Sequence, residues 1–146
     1  MRADRVITDV QREDELDIVR LVSEFGGVHA AVHEDLVREG FAQDETSISA
    51  FADMRYVGQA YEVRVPMTVL DGALSEAAIR QAIKKFHRAH DDRFGYEYEG
   101  RHPVEIVNIG ATGFGMFPRL KLATAERSGS GWEGALTSKR QGVFRE

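Results

Sequence analysis

The sequence predicts an α+β fold, with a mainly antiparallel sheet and helices packed on one face. Two segments, 13–40 and 75–94, carry apolar residues at helical spacing. Two others, 46–66 and 103–109, are rich in alternating or β-branched residues, and the gaps late in the chain are of hairpin length. Helices and strands that arrive in blocks favour α+β over an alternating α/β chain.

The composition is that of an ordinary globular domain. The chain has 146 residues, of which 42% are hydrophobic and 29% charged, so a single packed core is expected. The net charge of −5 argues against a nucleic-acid binder, and no apolar run is long enough to span a bilayer. The absence of cysteine excludes disulfides and thiolate chemistry. We therefore expect one domain, residues 1–146, in the cytoplasm, with neither nucleic acid nor membrane as a partner.

The N-terminal part, about residues 10–40, is predicted to be helical. Apolar side chains recur at helical spacing on both sides of Gly26-Gly27, and Gly40 marks the end of the stripe. Because glycine weakens a helix, the pattern fits either two helices or one broken helix.

A strand–helix–strand core is expected over about residues 46–127. Its first strand should run to Pro66, with apolar residues on even positions up to Tyr56 and on odd positions from Tyr61 to Val65. A strand changes this parity only at a bulge or a bend, and Gly58 lies where the parity changes. The sequence therefore predicts one long, bent strand.

A well-marked helix should follow a turn at Asp71-Gly72. Ser75 is a suitable N-cap and Gly95 a suitable left-handed residue after the helix, and the apolar stripe between them includes His90. The nearly continuous apolar run VEIVNI after Pro103 predicts a central strand covered on both faces. Three further features are predicted: a short strand at Leu120–Leu122, a flexible loop at Ser128–Gly134 and an edge strand at Gly142–Phe144.

The residues alone supply no self-sufficient active site. The pairs His29/His33 and His87/His90 lie at helical spacing, but two imidazoles do not make a metal site and HExxH is absent. Residues 129–134 match GxGxxG, yet no patterned helix follows that would hold a phosphate. We predict no catalytic, cofactor-binding or metal-binding residue in this chain. A free-standing binding module with a metal on His29 and His33 is kept as an alternative.

Three ordered segments resemble the C-terminal region of the hydantoinase A/5-oxoprolinase family, which includes the ketone carboxylases. They are DMRYVGQAYEV (53–63), FHRAHDDRFGY (86–96) and PVEIVNI (103–109), and the resemblance covers about residues 10–115. The family commonly has an arginine after the third segment, where this chain has Gly110. The resemblance marks ten motif residues as structural or partner-facing: Asp53, Arg55, Tyr56, Gly58, Gln59, His87, His90, Gly95, Glu105 and Asn108.

The resemblance also implies a function. It implies that this chain corresponds to the family's C-terminal region in the form of a separate small subunit that binds no cofactor. It further implies that larger partner subunits of a hetero-oligomer bind ATP and a divalent metal (Mg²⁺ or Mn²⁺). Such a chain would be a non-catalytic, assembly-supporting subunit of an ATP-dependent carboxylase. This ligase forms a C–C bond by joining bicarbonate to an aromatic ketone, which converts acetophenone to benzoylacetate. The alternative is the small subunit of an ATP-dependent hydantoinase- or oxoprolinase-type amidohydrolase.

Overall fold

Residues 1–116, which the computed structural model describes, form a four-stranded antiparallel sheet with two helices on one face. The strand order is β1-β4-β2-β3, and every neighbouring pair is antiparallel. This confirms the predicted α+β class. The elements in chain order are β1 (Arg2–Arg12), α1 (Ile18–Arg38), a 3-10 turn (Gln43–Glu45), β2 (Thr46–Tyr56), β3 (Val63–Met67), α2 (Glu76–Phe94) and β4 (Val104–Gly115).

The hydrophobic core lies between the helices and one face of the sheet. α1 packs mainly on β1 and β4, and α2 packs mainly on β3. Each helix turns one apolar stripe to the sheet, and burial of such stripes is the main source of helix stability in a protein. Neither helix in the described part of the chain is long and apolar enough to cross a membrane.

The N-terminal part differs from the prediction in two respects. β1 occupies residues that were assigned either no structure or the start of a helical region. α1 is one continuous helix through the exposed Gly26-Gly27, so the predicted break is wrong. The buried stripe explains this outcome, because each large side chain contributes about 1.5–3 kcal/mol on burial. A glycine costs the helix only about 1 kcal/mol.

The predicted long, bent strand is also wrong. The segment is a hairpin of β2 and β3, in which Ala52 pairs with Val65. The apolar parity changes because a second strand begins after the chain reverses, and not because of a bulge. Gly58 lies in the connection with φ +89°, a left-handed conformation that glycine adopts without strain.

Helix α2 and its flanking turns agree with the sequence. Ser75 caps the N-terminus by accepting a hydrogen bond from the Ala78 N–H, and Gly95 ends the helix with φ +79°. The Asp71-Gly72 turn is closed by two backbone hydrogen bonds between Leu70 and Ala73.

β4 is central, as predicted, but within residues 1–116 the helices pack on only one of its faces and not on both. A change of register accounts for the rest of its long apolar run. The pairing register of β4 with both of its neighbours, β1 and β2, shifts at Val107. Val104 and Ile106 face the core before the shift, and Ile109 and Ala111 face it afterwards. The features predicted for residues 120–144, including the GxGxxG match, lie outside the described residues, and a single domain over 1–146 stays a prediction.

Candidate functional site

The ten motif residues separate into two groups on opposite faces of the sheet. Four of them belong to what we call the sheet-face network, on the side away from the helices: Asp53, Arg55, Glu105 and Asn108, joined by Glu62 and Arg64. Four others belong to the α2 junction, where α2 meets the end of β2: Tyr56, Gln59, His87 and His90, joined by Tyr96 and Tyr98. Gly58 and Gly95 lie in connections beside the junction.

Strand register assembles the sheet-face network. Asn108 of β4 pairs with Asp53 of β2, which in turn pairs with Arg64 of β3, so the three side chains share one row across the sheet. Arg55 and Glu105 form a second row after the register shift. The hairpin is essential to this arrangement, because it brings β3 beside β2.

The network pairs buried carboxylates with cations. The Arg64 guanidinium donates to both Asp53 oxygens at 2.7 and 3.0 Å, and the Asn108 amide donates to Asp53 at 3.2 Å. Arg55 donates a single hydrogen bond through Nε to one oxygen of Glu105. Asp53 and Glu105 are only 7% and 8% exposed, and their charges are tolerated because each has a cationic partner. The hydrogen bond to Asp53 is the main reason that the pKa of Arg64 lies above its ordinary value.

An apolar row runs beside the network. Val6, Gly110, Phe51 and Pro66 pair successively across all four strands. A side chain at position 110 would collide with the Phe51 ring, because a Cβ there would lie 2.4 Å from Phe51 Cζ. The Arg64 guanidinium lies 3.7 Å from the centre of the same ring. The Phe51 ring therefore fills the space into which the arginine common in the family would extend.

The α2 junction is built around the buried Tyr56. Its hydroxyl oxygen accepts a hydrogen bond from the Tyr98 backbone N–H at 2.7 Å, and His87 Nδ1 lies within hydrogen-bond distance of the same hydroxyl, at 2.8 Å. Burial raises the pKa of Tyr56 above its ordinary value of 10.0, and the Tyr98 N–H acts in the opposite direction. When the hydroxyl donates its proton to Nδ1, the neutral imidazole of His87 carries its own proton on Nε2.

The two histidines of the junction differ in what their ring nitrogens contact. His90 is fully buried, with Nδ1 2.8 Å from the Tyr96 carbonyl oxygen and Nε2 3.1 Å from the Gln59 side chain. Both nitrogens of His90 are thus satisfied within the fold. Among residues 1–116, His87 has a hydrogen-bond partner at Nδ1 only.

The other histidine pair does not form a metal centre with its surroundings. His29 and His33 line a cleft of about 410 Å³ together with Asp71. Burial and the neighbouring His33 lower the pKa of His29. Within residues 1–116 there is no group of three or more His, Cys, Asp or Glu side chains placed to hold a metal ion.

Sequence reasoning missed four of the residues that complete these groups. Glu62 and Arg64 were assigned only to the polar side of a strand, and Tyr96 and Tyr98 had no assigned role. The alternation Tyr61–Val65 was a usable signal, because a reversal of the chain at Gly58 also accounts for the change of parity.

Comparison with solved structures relates this fold to large ATP-dependent enzymes. The structure of the ATP-dependent caprolactamase from Pseudomonas jessenii matches 82% of this chain with a TM-score of 0.71 and 25% sequence identity. The nucleotide-free acetone carboxylase, solved in a study of ATP-dependent acetone carboxylation, matches 81% with a TM-score of 0.56 and 15% identity. This chain has the fold of one segment of each enzyme.

The chain spans only 17% of the caprolactamase chain and 18% of the acetone carboxylase chain. The likeness to caprolactamase supports the resemblance to the hydantoinase A/5-oxoprolinase family, whereas the likeness to acetone carboxylase shows the fold alone. No family model matches the sequence, and neither does any curated protein.

Proposed function

We propose that this chain is a non-catalytic, assembly-supporting subunit of a cytoplasmic ATP-dependent enzyme. The observation that carries the proposal is the match of 82% of this chain to one segment of a much longer ATP-dependent enzyme. Phosphoryl transfer needs a phosphate cradle and a bridging metal ion, so larger partner subunits would supply ATP and Mg²⁺ or Mn²⁺.

The first candidate activity is the carboxylation of an aromatic ketone. In this proposal the chain is the counterpart of the small subunit of acetophenone carboxylase, which joins bicarbonate to acetophenone and forms benzoylacetate. The three motif segments support it, as does the shared fold with a segment of acetone carboxylase.

The second candidate activity is ATP-dependent hydrolysis of a cyclic amide. One observation favours it specifically: the caprolactamase segment is the better match, at TM-score 0.71 against 0.56 and at 25% identity against 15%. Substrate choice would lie mainly in the partner subunits, since the motif residues of this chain are engaged with one another.

We place the partner contact on the sheet face away from the helices, which residues 1–116 leave uncovered. Its two buried carboxylates, Asp53 and Glu105, are each paired with an arginine, so a partner would cover ion pairs at these positions and not isolated charges. The same face exposes Val6, at 51%, and Phe114, at 43%. Apolar side chains beside satisfied polar pairs are typical of a subunit interface.

Purification of the tagged chain from its native host, followed by two assays, tests the proposal. The complex is given acetophenone, bicarbonate and ATP in one assay, and caprolactam, hydantoin or 5-oxoproline with ATP in the other. Formation of benzoylacetate supports the first activity, and ATP-dependent ring opening supports the second. If the chain purifies alone, and deletion of its gene leaves both activities of the host intact, the proposal is wrong.

A further inference from the structure

A cleft of about 400 Å³ opens beside the α2 junction, separate from the sheet-face network. It lies between α2, the turn after β1 and the segment that precedes β4, and its size is in the range of small-molecule sites. Its charged and polar lining residues are Glu13, Arg80, Lys84, His87 and Glu99.

His87 gives this cleft an oriented hydrogen-bond donor. The residue is 6% exposed and lines the cleft, and its Nδ1 is occupied by the Tyr56 hydroxyl. Within residues 1–116 no group hydrogen-bonds to Nε2. In the tautomer in which Nδ1 accepts from the Tyr56 hydroxyl, Nε2 carries the ring proton, and this N–H is the donor that we assign to a ligand in the cleft.

The charges on the two sides of the cleft have opposite signs. Lys84 and Arg80 come from α2; Arg80 is paired with Glu76, whereas Lys84 has no ion-pair partner among the described residues. Glu13 and Glu99 come from the opposite side. Glu13 uses one oxygen to accept from the Val104 N–H, and the Glu99 carboxylate makes no hydrogen bond within the described residues.

We propose that this cleft binds a small dipolar ligand that carries a carboxylate at one end and an ammonium group at the other. The carboxylate would accept from His87 Nε2–H and pair with Lys84, and the ammonium group would lie against Glu13 and Glu99. This inference does not rest on the proposed function, because it uses only residues of this chain that line the cleft. Its test measures binding on the full chain without partner subunits.

Calorimetric titration of the full 146-residue chain with β-alanine, 4-aminobutyrate and 6-aminohexanoate tests the proposal. We expect at least one of them to bind with a Kd of about 1 mM or lower. Butyrate and butylamine, which each lack one charge, should bind about tenfold more weakly than 4-aminobutyrate or its best-binding homologue.

Neighbouring lysines provide a matched pair of variants. Lys84→Gln should weaken binding about fivefold, and Lys85→Gln, which changes an exposed lysine outside the cleft, less than about twofold. His87→Asn keeps an acceptor for the Tyr56 hydroxyl but removes the Nε2 donor, so it should weaken binding more than Lys84→Gln. Its melting temperature should stay near that of the parent.

Three results would each overturn the proposal: no binding of any probe at about 10 mM, equal losses in both lysine variants, or butyrate binding as tightly as 4-aminobutyrate.

Discussion

A single methyl group at Gly110 should disturb the packing of the sheet. A Cβ at this position would lie 2.4 Å from Phe51 Cζ and 2.8 Å from the Arg5 carbonyl oxygen. Gly110→Ala should therefore lower the free energy of unfolding by about 1–3 kcal/mol, as overpacked substitutions do. Urea denaturation measures this change.

The control is Gly26→Ala on the exposed side of α1, where a Cβ meets nothing within 4 Å. This substitution should raise the free energy of unfolding by about 0.5–1 kcal/mol. Equal stability of Gly110→Ala and the parent would show that Phe51 does not occupy this space.

Gly58 is constrained by its backbone and not by its neighbours. Its φ is +89°, and a Cβ there would meet nothing within 4 Å. Gly58→Ala and Gly58→Val should both be destabilising, by about 1–2 kcal/mol for alanine and more for the β-branched valine. Thermal melts of the two variants beside Gly27→Ala, a helical glycine that should gain stability, measure the effect. If Gly58→Ala melts at or above the parent temperature, the left-handed conformation of this turn is refuted.

At the scale of elements, the hydroxyl of Tyr56 on β2 connects three parts of the fold by hydrogen bonds. It contacts His87 on α2 and Tyr98 in the segment before β4. Tyr56→Phe would leave the partly buried Tyr98 N–H and the buried His87 Nδ1 without their partner. We expect a loss of about 1–3 kcal/mol in the free energy of unfolding. Tyr61→Phe removes a hydroxyl that bonds only the exposed Tyr96 hydroxyl and should cost much less. Comparable losses in the two variants would contradict the central role of Tyr56.

The same tyrosine should make the fold sensitive to alkaline pH. Because burial raises the pKa of Tyr56 above 10.0, the folded state holds its phenolic proton at a pH where the unfolded chain has released it. The contribution of neutral Tyr56 is therefore complete below pH 10.0 and is lost as the pH rises through the folded pKa. Urea unfolding at about pH 9 and about pH 11 should show the parent losing more stability than Tyr56→Phe. The same loss in both proteins would be evidence against this linkage.

The sequence predicted elements well where local signals coincide with burial. α2 carries both caps and an unbroken stripe, and its bounds were anticipated. β1 was missed because it is an edge strand with charged residues such as Arg2, Asp4 and Arg5 near its start, which leaves little apolar alternation. The α1 stripe was seen, but local glycine propensity was given more weight than tertiary burial.

The candidate site was only partly predictable for a related reason. The motif segments supplied Asp53, Glu105 and Asn108, but single-strand patterns do not say which strands become neighbours. The register of β2 with β3 and β4 brings Arg64 to Asp53, and that register depends on recognising the hairpin. The contact of His87 with the Tyr56 hydroxyl joins residues 31 positions apart, which no local spacing reveals.

For the whole molecule, the proposed interface predicts that a substitution on the sheet face can weaken binding of the partner subunits without lowering the stability of the isolated chain. Val6→Asp places a charge on the uncovered sheet face at a side chain that is 51% exposed, so the isolated chain should melt like the parent. Recovery of partner subunits with the tagged variant should fall about tenfold or more, as for an interface anchor. Val19→Asp is the control, since Val19 is 80% exposed on α1. Normal recovery with Val6→Asp would place the partner contact elsewhere.

Native mass spectrometry of the complex, purified from its host through a tag on this chain, tests the central claim most directly. The account predicts a hetero-oligomer in which this 146-residue chain accompanies larger subunits. ATP hydrolysis should be present in the complex and absent from the isolated chain. A species that contains only copies of this chain, or ATPase activity in the isolated chain that a point substitution within it abolishes, would contradict the account.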